Sequence, residues 1–363
     1  MNHNSLVINQ SSIPTPIELI KKIESSQSDD IVLSIETSGS QSQAKTALIS
    51  RHNIIAHCQS FIQSIPMDSH SIWLNCMPLY HIAGIMIVYR CWYPKATMIL
   101  HNDFNEQKIW GDLYHKQITH ISLVPRMLLR LLDYQSNLDN THGQKKLPAC
   151  LKYILVGGDS LSEALYQRAI SMEWPIVISY GMTEATSTIA IGLRPNQLKL
   201  LPGIMARVDS NGELQLRGEM IISQYAEQSS LDNGWLKTND LVKINGNTLS
   251  ILGRNDHLII RSGEKIQPQT IELLLSKIPD IDDLAITKHR SEISADERGD
   301  SMVLLVSNKY KKIDIELIKN WIKENIKTFY QPDCILQIDK IPRTSLGKIN
   351  RGALQSIVNK KDE

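Results

Sequence analysis

Residues 175–184 read PIVISYGMTE, a β-branched run that ends in aromatic, hydroxyl and carboxylate side chains. The apolar half predicts a strand buried in a parallel sheet. The polar half follows at the carboxyl end of that strand, which is where open α/β sheets bind ligands. Thr183, Glu184 and Tyr180 are suited to a phosphate, Mg²⁺ and a base ring respectively. Taken alone, this segment favours a nucleotide site only slightly over an ordinary strand-to-loop turn.

Other short β-branched runs, each followed by helix-like sequence, precede this stretch. They are IVLSI at 31–35, HISLV at 120–124 and YILVGG at 153–158. The alternation predicts parallel strands with crossover helices, and hence an α/β fold. One such helix is predicted over residues 161–172, with Ser160 as its N-cap.

After about residue 190 the sequence changes to short strands with turn signals. Asn-Gly occurs at Asn211, Asn233 and Asn245, and Asn-Gly between alternating apolar residues is a strong hairpin signal. We therefore predict a small antiparallel β-subdomain over about residues 190–253, inside an N-terminal domain of residues 1–253. A mixed α/β pattern returns over residues 254–363, which predicts a separate C-terminal domain.

The composition is that of a globular protein, with 363 residues, 42% hydrophobic and 21% charged. The 39 Lys and Arg against 38 Asp and Glu leave a net charge of +1, which does not support a nucleic-acid or membrane-surface partner. We predict neither a signal peptide nor a membrane span. The cysteines lack C-x-x-C spacing, which argues against disulfides and zinc and favours a reducing cytoplasm; they are Cys58, Cys76, Cys91, Cys150 and Cys334.

A second candidate site is the polar segment 37–45, TSGSQSQAK, directly after IVLSI. Its hydroxyls and backbone N–H groups, with Lys45 at the end, are suited to wrapping the β- and γ-phosphates of a nucleotide. A polar surface loop explains the same letters, and on this segment alone it is the better-supported reading because only one glycine is present.

Two further candidates lie later in the chain. The Asp240 carboxylate can accept hydrogen bonds from two neighbouring ribose hydroxyls, and Arg254 beside it can bind the same sugar or a phosphate. Lys348, in IPRTSLGKINR at 341–351, is a point charge in a glycine turn that domain rotation can deliver to a distant site. Surface charges and a solvated basic tail are the alternatives. The weight of these residues comes from their occurring together.

Taken together, the segments resemble the adenylate-forming acyl-CoA synthetase (AMP-binding) superfamily, whose motifs occur here in the family's order. The matching segments are TSGS at 37–40, MPLYH at 77–81, GG at 157–158, YGMTE at 180–184, TND at 238–240, GRND at 253–256 and PRTSLGK at 342–348. The resemblance implies an α/β fold with a large N-terminal α/β domain, a small β-subdomain and a mobile α+β C-terminal domain.

Softer signals resemble the o-succinylbenzoate-CoA ligase family of menaquinone biosynthesis. They are SLVP at 122–125, IAGIMIVYRCWY at 82–93 and SGEKIQP at 262–268. The resemblance implies an AMP-forming acid-thiol ligase that uses ATP, Mg²⁺ and coenzyme A. For this aromatic dianion, Arg90 is the candidate partner of the second carboxylate and His81 lies near the pocket mouth. A structural role for Arg90 at a helix end is the equal alternative.

The resemblance also assigns roles to the motif residues. Glu184 would hold Mg²⁺, Thr183 would bind the α-phosphate, and Lys348 would bridge the substrate carboxylate and the α-phosphate. Asp256 matches the family hinge, about which rotation would move Lys348 out after adenylation. The remaining nucleotide contacts would be Thr37, Ser38, Gly39, Ser40 and Lys45 on the phosphates, Gly157, Gly158, Tyr180 and Gly181 at the adenine, and Asp240 and Arg254 on the ribose.

Two features depart from the family. After residue 40 the phosphate segment lacks the family's glycines and proline, which changes its allowed φ values and its stiffness and is expected to weaken phosphate binding. Only 36 residues precede that segment, where the family has roughly 100 more, so we expect an N-terminally shortened chain. Two alternatives stay open: a ligase for another aryl or fatty acid, and a truncated, catalytically impaired nucleotide-binding paralogue. A homodimer is one assembly that the resemblance implies.

Overall fold

The computed structural model describes residues 5–37, 45–142, 146–227, 231–275, 277–278, 281, 283–289, 300–308, 313–344 and 347–360. Their contacts divide the chain into two compact units. The first runs up to Thr238 and includes Val242–Ile251, and the second comprises Asn239–Leu241 and the chain from Leu252 onward. The predicted boundary after residue 253 stays a prediction; the contacts separate the units at Ile251 and Leu252.

The first unit begins with a small mixed sheet and two helices. Its elements are β1 (Leu6–Ile8), α1 (Pro16–Glu24), β2 (Ile31–Thr37), β3 (Lys45–Ser50) and α2 (Arg51–Ser64). Strand β2 pairs in parallel with β1 and antiparallel with β3. The prediction that IVLSI is a parallel strand is confirmed by its pairing with β1. The prediction that a helix follows it directly is wrong, because the next described element is the antiparallel strand β3. Cα pairing of Thr37 with Lys45 brings the two ends of the phosphate segment together.

A larger sheet follows, with strand order β10-β9-β8-β7-β6-β4-β5 among the described residues. Strands β4 to β8 pair in parallel, which confirms the three parallel strands predicted at HISLV, YILVGG and PIVISYG, whereas β4 and β5 were not predicted. Strands β9 and β10 pair antiparallel at one side. The elements are β4 (Ile72–Asn75), α3 (Ile82–Trp92), β5 (Thr97–Leu100), α4 (Glu106–His115), β6 (His120–Leu123), α5 (Pro125–His142), β7 (Tyr153–Val156), α6 (Glu163–Ser171), β8 (Ile176–Met182), β9 (Ser187–Gly192) and β10 (Lys199–Leu200).

The predicted N-cap of the helix over 161–172 is wrong by two residues. The Ser162 side chain accepts a hydrogen bond from the Leu165 backbone N–H, so Ser162 is the N-cap of α6. The backbone N–H of Ser160 instead donates to the Asp159 carboxylate. Both serines are suitable cap residues, and the choice depends on the tertiary path of the chain.

The β-subdomain is present but starts later than predicted. A four-stranded sheet has the order β11-β12-β13-β14, with β11 (Met205–Val208), β12 (Glu213–Arg217), β13 (Leu236–Asn245) and β14 (Thr248–Arg254). Two of the three Asn-Gly signals lie between paired strands of this sheet, and Asn233 lies in a tight turn that leads into β13. Residues 190–200 belong to the larger sheet, because β9 and β10 pair there.

The second unit has α+β architecture, as predicted. Its elements are β15 (Ile259–Arg261), β16 (Glu264–Ile266), α7 (Pro268–Leu275), β17 (Asp283–His289), β18 (Ser301–Ser307), α8 (Ile315–Asn325), β19 (Cys334–Gln337) and α9 (Arg351–Asn359). Strand β18 is central, between antiparallel β17 and parallel β19. In the described part of the chain, none of the helices is long and apolar enough to cross a membrane.

Candidate active site

The YGMTE segment lies at the carboxyl end of β8. Strand β8 ends at Met182, and Thr183 and Glu184 follow in a short 3-10 turn that leads into β9. Both side chains are half-buried. The Glu184 backbone carbonyl accepts a hydrogen bond from the Ile222 N–H at 2.9 Å, so the main chain of this turn is fixed while its carboxylate stays available.

The backbone that follows Glu184 is strained. Thr186 has φ 54° and Ser187 has φ 98°, values that β-branched and bulky residues rarely adopt. The Thr186 hydroxyl donates to the Met220 carbonyl at 2.7 Å, and its backbone N–H donates to the Thr183 carbonyl. Such strain persists only where the surroundings over-determine the conformation, and it concentrates at functional sites.

Two motif glycines are required here by close approach. A Cβ at Gly181 would lie 2.0 Å from the Ser187 carbonyl oxygen, and one at Gly157 would lie 2.2 Å from Ser179 Oγ. Gly157 follows β7 and is thereby held against the end of β8, while Gly158 next to it is exposed with φ 83°. Tyr180 pairs with Ala190 of β9. The structure therefore brings the Gly-Gly turn and the YGMTE segment together.

Tyr225 connects the two halves of the candidate phosphate site, and our sequence analysis missed it. Its hydroxyl donates to Glu184 Oε1 at 3.4 Å, and Lys45 Nζ lies 5.1 Å from the centre of its ring. Tyr225 also forms an isolated β-bridge with Ala47 of β3. Burial, reinforced by the Glu184 charge, raises the pKa of Tyr225, so the phenol stays a neutral donor. A tyrosine in IISQYAEQ matches none of the motifs that we used.

The described part of the phosphate segment is its two ends. The Thr37 hydroxyl donates to the Lys45 carbonyl at 3.1 Å, and Lys45 is exposed. The Thr46 backbone N–H, next to Lys45, donates to the Glu227 carboxylate. The predicted contacts Ser38, Gly39 and Ser40 lie outside the described residues.

Arg90 is buried in the first unit, with 2% of its surface exposed. Its guanidinium donates to His57 Nε2, Ser187 Oγ and Thr188 Oγ1 at 2.8–3.2 Å and lies 4.0 Å from the Phe61 ring centre. Burial lowers the pKa of Arg90 to about 10, so it remains charged at neutral pH. Burial and the Arg90 charge hold the pKa of His57 well below its usual range. The groups that contact the Arg90 guanidinium, which are an imidazole, two hydroxyls and an aromatic ring, are therefore neutral.

His81 lies at the other end of the same helix. It is the N-cap residue of α3, and its ring packs 4.5 Å from that of Tyr80, centre to centre. Arg90 lies in the last turn of α3, about 13 Å farther along the axis at the usual rise per residue. The structure thus separates the two predicted substrate-binding residues rather than placing them side by side.

In the second unit, Arg254 joins two carboxylates. Its Nη1 lies 3.3 Å from Asp240 Oδ1, and its Nε and Nη2 each lie 3.1 Å from an oxygen of Asp256. Asn239 Nδ2 donates to Asp256 at 3.3 Å. The predicted ribose pair and the predicted hinge residue therefore form one cluster, which the sequence motifs did not indicate.

Lys348 is exposed in the segment that precedes α9. Its backbone carbonyl accepts a hydrogen bond from the Thr344 N–H at 2.8 Å, and Gly347 before it has φ 82°. The predicted glycine turn is therefore present.

Within the described ranges, no group of three or more His, Cys, Asp and Glu side chains could hold a metal ion. Mg²⁺ at nucleotide sites typically uses one or two carboxylates together with substrate phosphates and water. Glu184 beside the Thr183 hydroxyl fits Mg²⁺ that arrives with ATP.

Comparisons with known proteins identify the family of the chain. The model of the AMP-binding enzyme family matches residues 4–225, and the chain belongs to that family. The 2-succinylbenzoate--CoA ligase of Staphylococcus aureus is 28% identical over 344 residues, which is 90% of this chain and 67% of that protein.

Solved structures of similar proteins share the fold. The o-succinylbenzoate CoA synthetase of Bacillus subtilis, in complex with the acyl-adenylate intermediate, superposes with a TM-score of 0.80 at 23% identity and covers 90% of this chain and 69% of its own. Wild-type Escherichia coli MenE, with an analogue of OSB-AMS, has a TM-score of 0.68 at 27% identity and covers 92% and 71%. The predicted acyl-CoA synthetase-like fold is confirmed.

Proposed function

We propose that this chain is an AMP-forming acid-thiol ligase that activates o-succinylbenzoate with ATP and transfers it to coenzyme A, a step of menaquinone biosynthesis. The observation that carries the proposal is the connection of Glu184 to Lys45 through Tyr225 at the carboxyl end of β8. This connection places the Glu184 carboxylate, which suits Mg²⁺, near the Lys45 ammonium group, which suits phosphates. The identity of the acid is inferred from the names of the similar proteins.

The chemistry requires two steps because a carboxylate has no good leaving group. A carboxylate oxygen attacks the α-phosphorus of ATP, the bond to pyrophosphate breaks, and an acyl-adenylate forms. The coenzyme A thiolate then attacks the acyl carbon, and AMP leaves with the electron pair of the broken C–O bond. The protein must therefore stabilise negative charge on the phosphates in the first step.

The first unit contributes the phosphate end of the site. Glu184 holds the Mg²⁺ that accompanies ATP, and the Thr183 hydroxyl binds the α-phosphate. Lys45 and Thr37 contact the β- and γ-phosphates together with the segment between them. Gly157, Gly158, Tyr180 and Gly181 flank the adenine. The close approach at Gly157 and Gly181 supports this role, because side chains there would displace the end of β8.

The second unit contributes the sugar contacts and the mobile charge. Asp240 accepts from the ribose hydroxyls, and Arg254 orients that carboxylate through their ion pair. Lys348 neutralises the substrate carboxylate and the α-phosphate as they react. Asp256 is the proposed hinge, and its bidentate contact with Arg254 ties the hinge to the ribose contacts.

For the acid, we propose Arg90 as the partner of the second carboxylate of o-succinylbenzoate, with His81 near the pocket mouth. A buried guanidinium whose contacts are neutral hydroxyls, an imidazole and aromatic faces lacks a compensating anion among those contacts, and buried charges are normally paired. Substitution Arg90→Lys keeps the positive charge but loses the planar guanidinium, which can donate two parallel hydrogen bonds to one carboxylate. We expect it to raise the KM for the diacid at least tenfold and to leave the KM for ATP unchanged.

Steady-state kinetics with a monocarboxylate analogue of o-succinylbenzoate, which keeps the reacting carboxylate and lacks the second one, provide the matched control for Arg90. The turnover of this analogue should not respond to Arg90→Lys if that charge binds the second carboxylate. An equal loss with both substrates, together with a lowered unfolding temperature, would assign Arg90 to support of the Ser187 and Thr188 backbone.

The proposed function is tested by supplying the purified chain with ATP, Mg²⁺, o-succinylbenzoate and coenzyme A. We expect release of pyrophosphate and formation of the thioester. Release no faster than that of a folded Lys348→Ala variant would exclude the ligase. Binding of ATP without turnover would instead support the impaired paralogue, and turnover with another aryl or fatty acid would reassign the substrate.

We place this reaction in the cytoplasm. The cysteines are free, and Cys58, Cys76 and Cys91 are buried as thiols. Unpaired thiols are typical of a reducing compartment.

A homodimer is our proposal for the assembly, by analogy with the family, and sedimentation at micromolar concentration checks it.

A further inference from the structure

The segment 342–350, called the lysine loop below, carries Lys348, and residues 345 and 346 of it lie outside the described residues. Main-chain hydrogen bonds within the loop close it. Thr344 N–H donates to the Lys348 carbonyl at 2.8 Å, and Asn350 N–H donates to the Pro342 carbonyl at 2.9 Å. These bonds join the loop to itself and do not fix its direction relative to the rest of the second unit.

Arg343 attaches the start of the loop to strand β17. Its Nε and Nη2 donate to the two carboxylate oxygens of Asp283 at 3.0 and 2.7 Å, which is a bidentate pair. Its Nη1 donates to the Gly347 carbonyl at 2.7 Å. A single guanidinium therefore holds the first residue of β17 and the peptide group immediately before Lys348.

Arg351 attaches the end of the loop in the same manner. Its Nη1 and Nη2 donate to the two carboxylate oxygens of Glu272 on α7 at 3.0 and 2.8 Å, and Nη1 also donates to the Ile286 carbonyl of β17 at 2.7 Å. Glu272 in turn accepts from the Ile286 N–H. Both side chains of this pair are 13% exposed, so water screens it less than a surface ion pair.

The strand that receives both arginines is well anchored. Strand β17 pairs with β18 along its whole length, from Asp283 with Ser307 to His289 with Ser301. Ala285 of β17 is fully buried against Leu354 and Val358 of α9. The two attachment points are therefore parts of one packed sheet and helix, and they cannot shift independently.

We propose that Arg343 with Asp283, and Arg351 with Glu272, are positioning pairs that set the location of Lys348 for adenylation. The proposal rests on the proposed function. Arginine is required because a lysine cannot make two parallel bonds to a carboxylate and a third to a carbonyl. A reacting charge on a loop must be held to within a fraction of an ångström, since a displacement of about 1 Å can cost roughly 100-fold in rate.

The test is the Arg343→Lys variant, measured in the two half-reactions separately. We expect kcat for pyrophosphate release to fall at least tenfold, with the KM for ATP and thioester formation from preformed acyl-adenylate unchanged. Asp283→Asn should lose kcat in the same half-reaction, and the double variant should be no worse than Arg343→Lys alone, because both substitutions break the Arg343–Asp283 pair. Arg168→Lys, which breaks a guanidinium contact to Asp133 and Ser136 in the first unit, is the matched control and should change neither half-reaction.

A second readout does not depend on activity. Trypsin cleaves after Lys348, and loss of the Arg343 bonds should free the loop for cleavage. We expect the cut between Lys348 and Ile349 to be about tenfold faster in Asp283→Asn than in the wild type, measured by mass spectrometry while the protein remains folded. If Arg343→Lys does not fold, Asp283→Asn and Arg351→Lys take its place.

The outcomes distinguish failure of the positioning proposal from failure of the proposed function. If the wild type turns over but the variants keep their kcat, or lose both half-reactions equally, the positioning proposal is wrong. If the wild type does not turn over o-succinylbenzoate, the proposed function fails, and the trypsin rate alone decides the positioning of the loop. An unchanged trypsin rate would then overturn it.

Discussion

The turn that carries Glu184 and the loop that carries Lys348 are held by different means. The turn is enclosed: the residues that follow Glu184 are buried, and two of them have positive φ. The lysine loop is largely exposed or half-buried, and arginine–carboxylate pairs fix it to β17 and α7. One conformation is imposed by packing, and the other by directed polar bonds.

The difference bears on what each region can do. A strained turn inside a core cannot move without losing the core, so it suits a metal ligand that must stay in place. A loop attached to its own unit through ion pairs keeps its shape when that unit moves, so it suits a charge that is needed in only one step. We expect the stability of the turn to respond mainly to changes of volume, and the placement of Lys348 to respond mainly to changes of hydrogen-bonding geometry.

The largest effect is expected from removing the charge on the turn. Glu184→Gln preserves the volume but abolishes the carboxylate, and loss of a Mg²⁺ ligand should slow pyrophosphate release at least about 100-fold. The residual rate should need more Mg²⁺ to saturate, which a magnesium titration measures. Glu173→Gln, at an exposed pair with Lys146, is the control. Equal rates in both variants would remove Glu184 from the metal site.

Packing around the turn is tested by Gly181→Ala. The new Cβ would lie 2.0 Å from the Ser187 carbonyl oxygen. Because this oxygen belongs to the backbone, a change of side-chain rotamer cannot relieve the clash. We expect a loss of about 3 kcal/mol and an unfolding temperature lower by roughly 10 °C. Gly111→Ala in α4, where the Cβ meets nothing within 4 Å, should stabilise by up to about 1 kcal/mol. Similar unfolding temperatures for the two variants would show that the turn is not tightly packed.

Much of the turn could be predicted from the sequence, because strand, turn and motif are local signals. The β-branched run before Ser179 predicted β8, and its polar end predicted the position of Thr183 and Glu184. The Asn-Gly signals at Asn211 and Asn245 located two hairpins. These features depend on neighbours within a few residues, and pattern rules describe such neighbours well.

Tyr225→Phe tests the connection between the turn and the phosphate segment. It removes the hydroxyl that donates to Glu184 but keeps the ring beneath Lys45. Because the bond is long, at 3.4 Å, we expect only about a fivefold rise in the KM for MgATP. Tyr166→Phe, which loses a hydrogen bond to the Leu193 carbonyl, should leave that KM unchanged. If Tyr225→Phe behaves like Tyr166→Phe, the tyrosine is only a packing residue.

A pH dependence of stability is expected from His120 in β6, which lies outside both regions. Burial lowers the pKa of His120 from 6.5 to about 4, where its ring stacks between Trp73 and Tyr153. The unfolded chain therefore takes up the proton first, and stability falls as the pH decreases from about 6.5 towards about 4. His120→Phe should remove about 2 kcal/mol of the loss between pH 7 and pH 5, measured by denaturant unfolding. An unaltered pH dependence would assign the loss to other groups.

The features that the sequence did not predict are long-range. Arg343 and Asp283 are 60 residues apart, and Arg351 and Glu272 are 79 apart, so no local pattern pairs them. The antiparallel strand β3 was missed for the same reason, since the choice between a helix and an antiparallel partner after β2 depends on residues beyond the strand. Tyr225 stands in a segment without a motif, and only folding brings it to Glu184.

In the proposed mechanism, the turn and the loop both serve the first half-reaction. The most direct measurement compares wild type and Lys348→Ala in pyrophosphate release and in thioester formation from preformed o-succinylbenzoyl-adenylate. We expect Lys348→Ala to lose about 100-fold or more in the first and to keep the second within about twofold of the wild type. An unchanged first rate, or an equal loss of both rates in folded protein, would contradict the account.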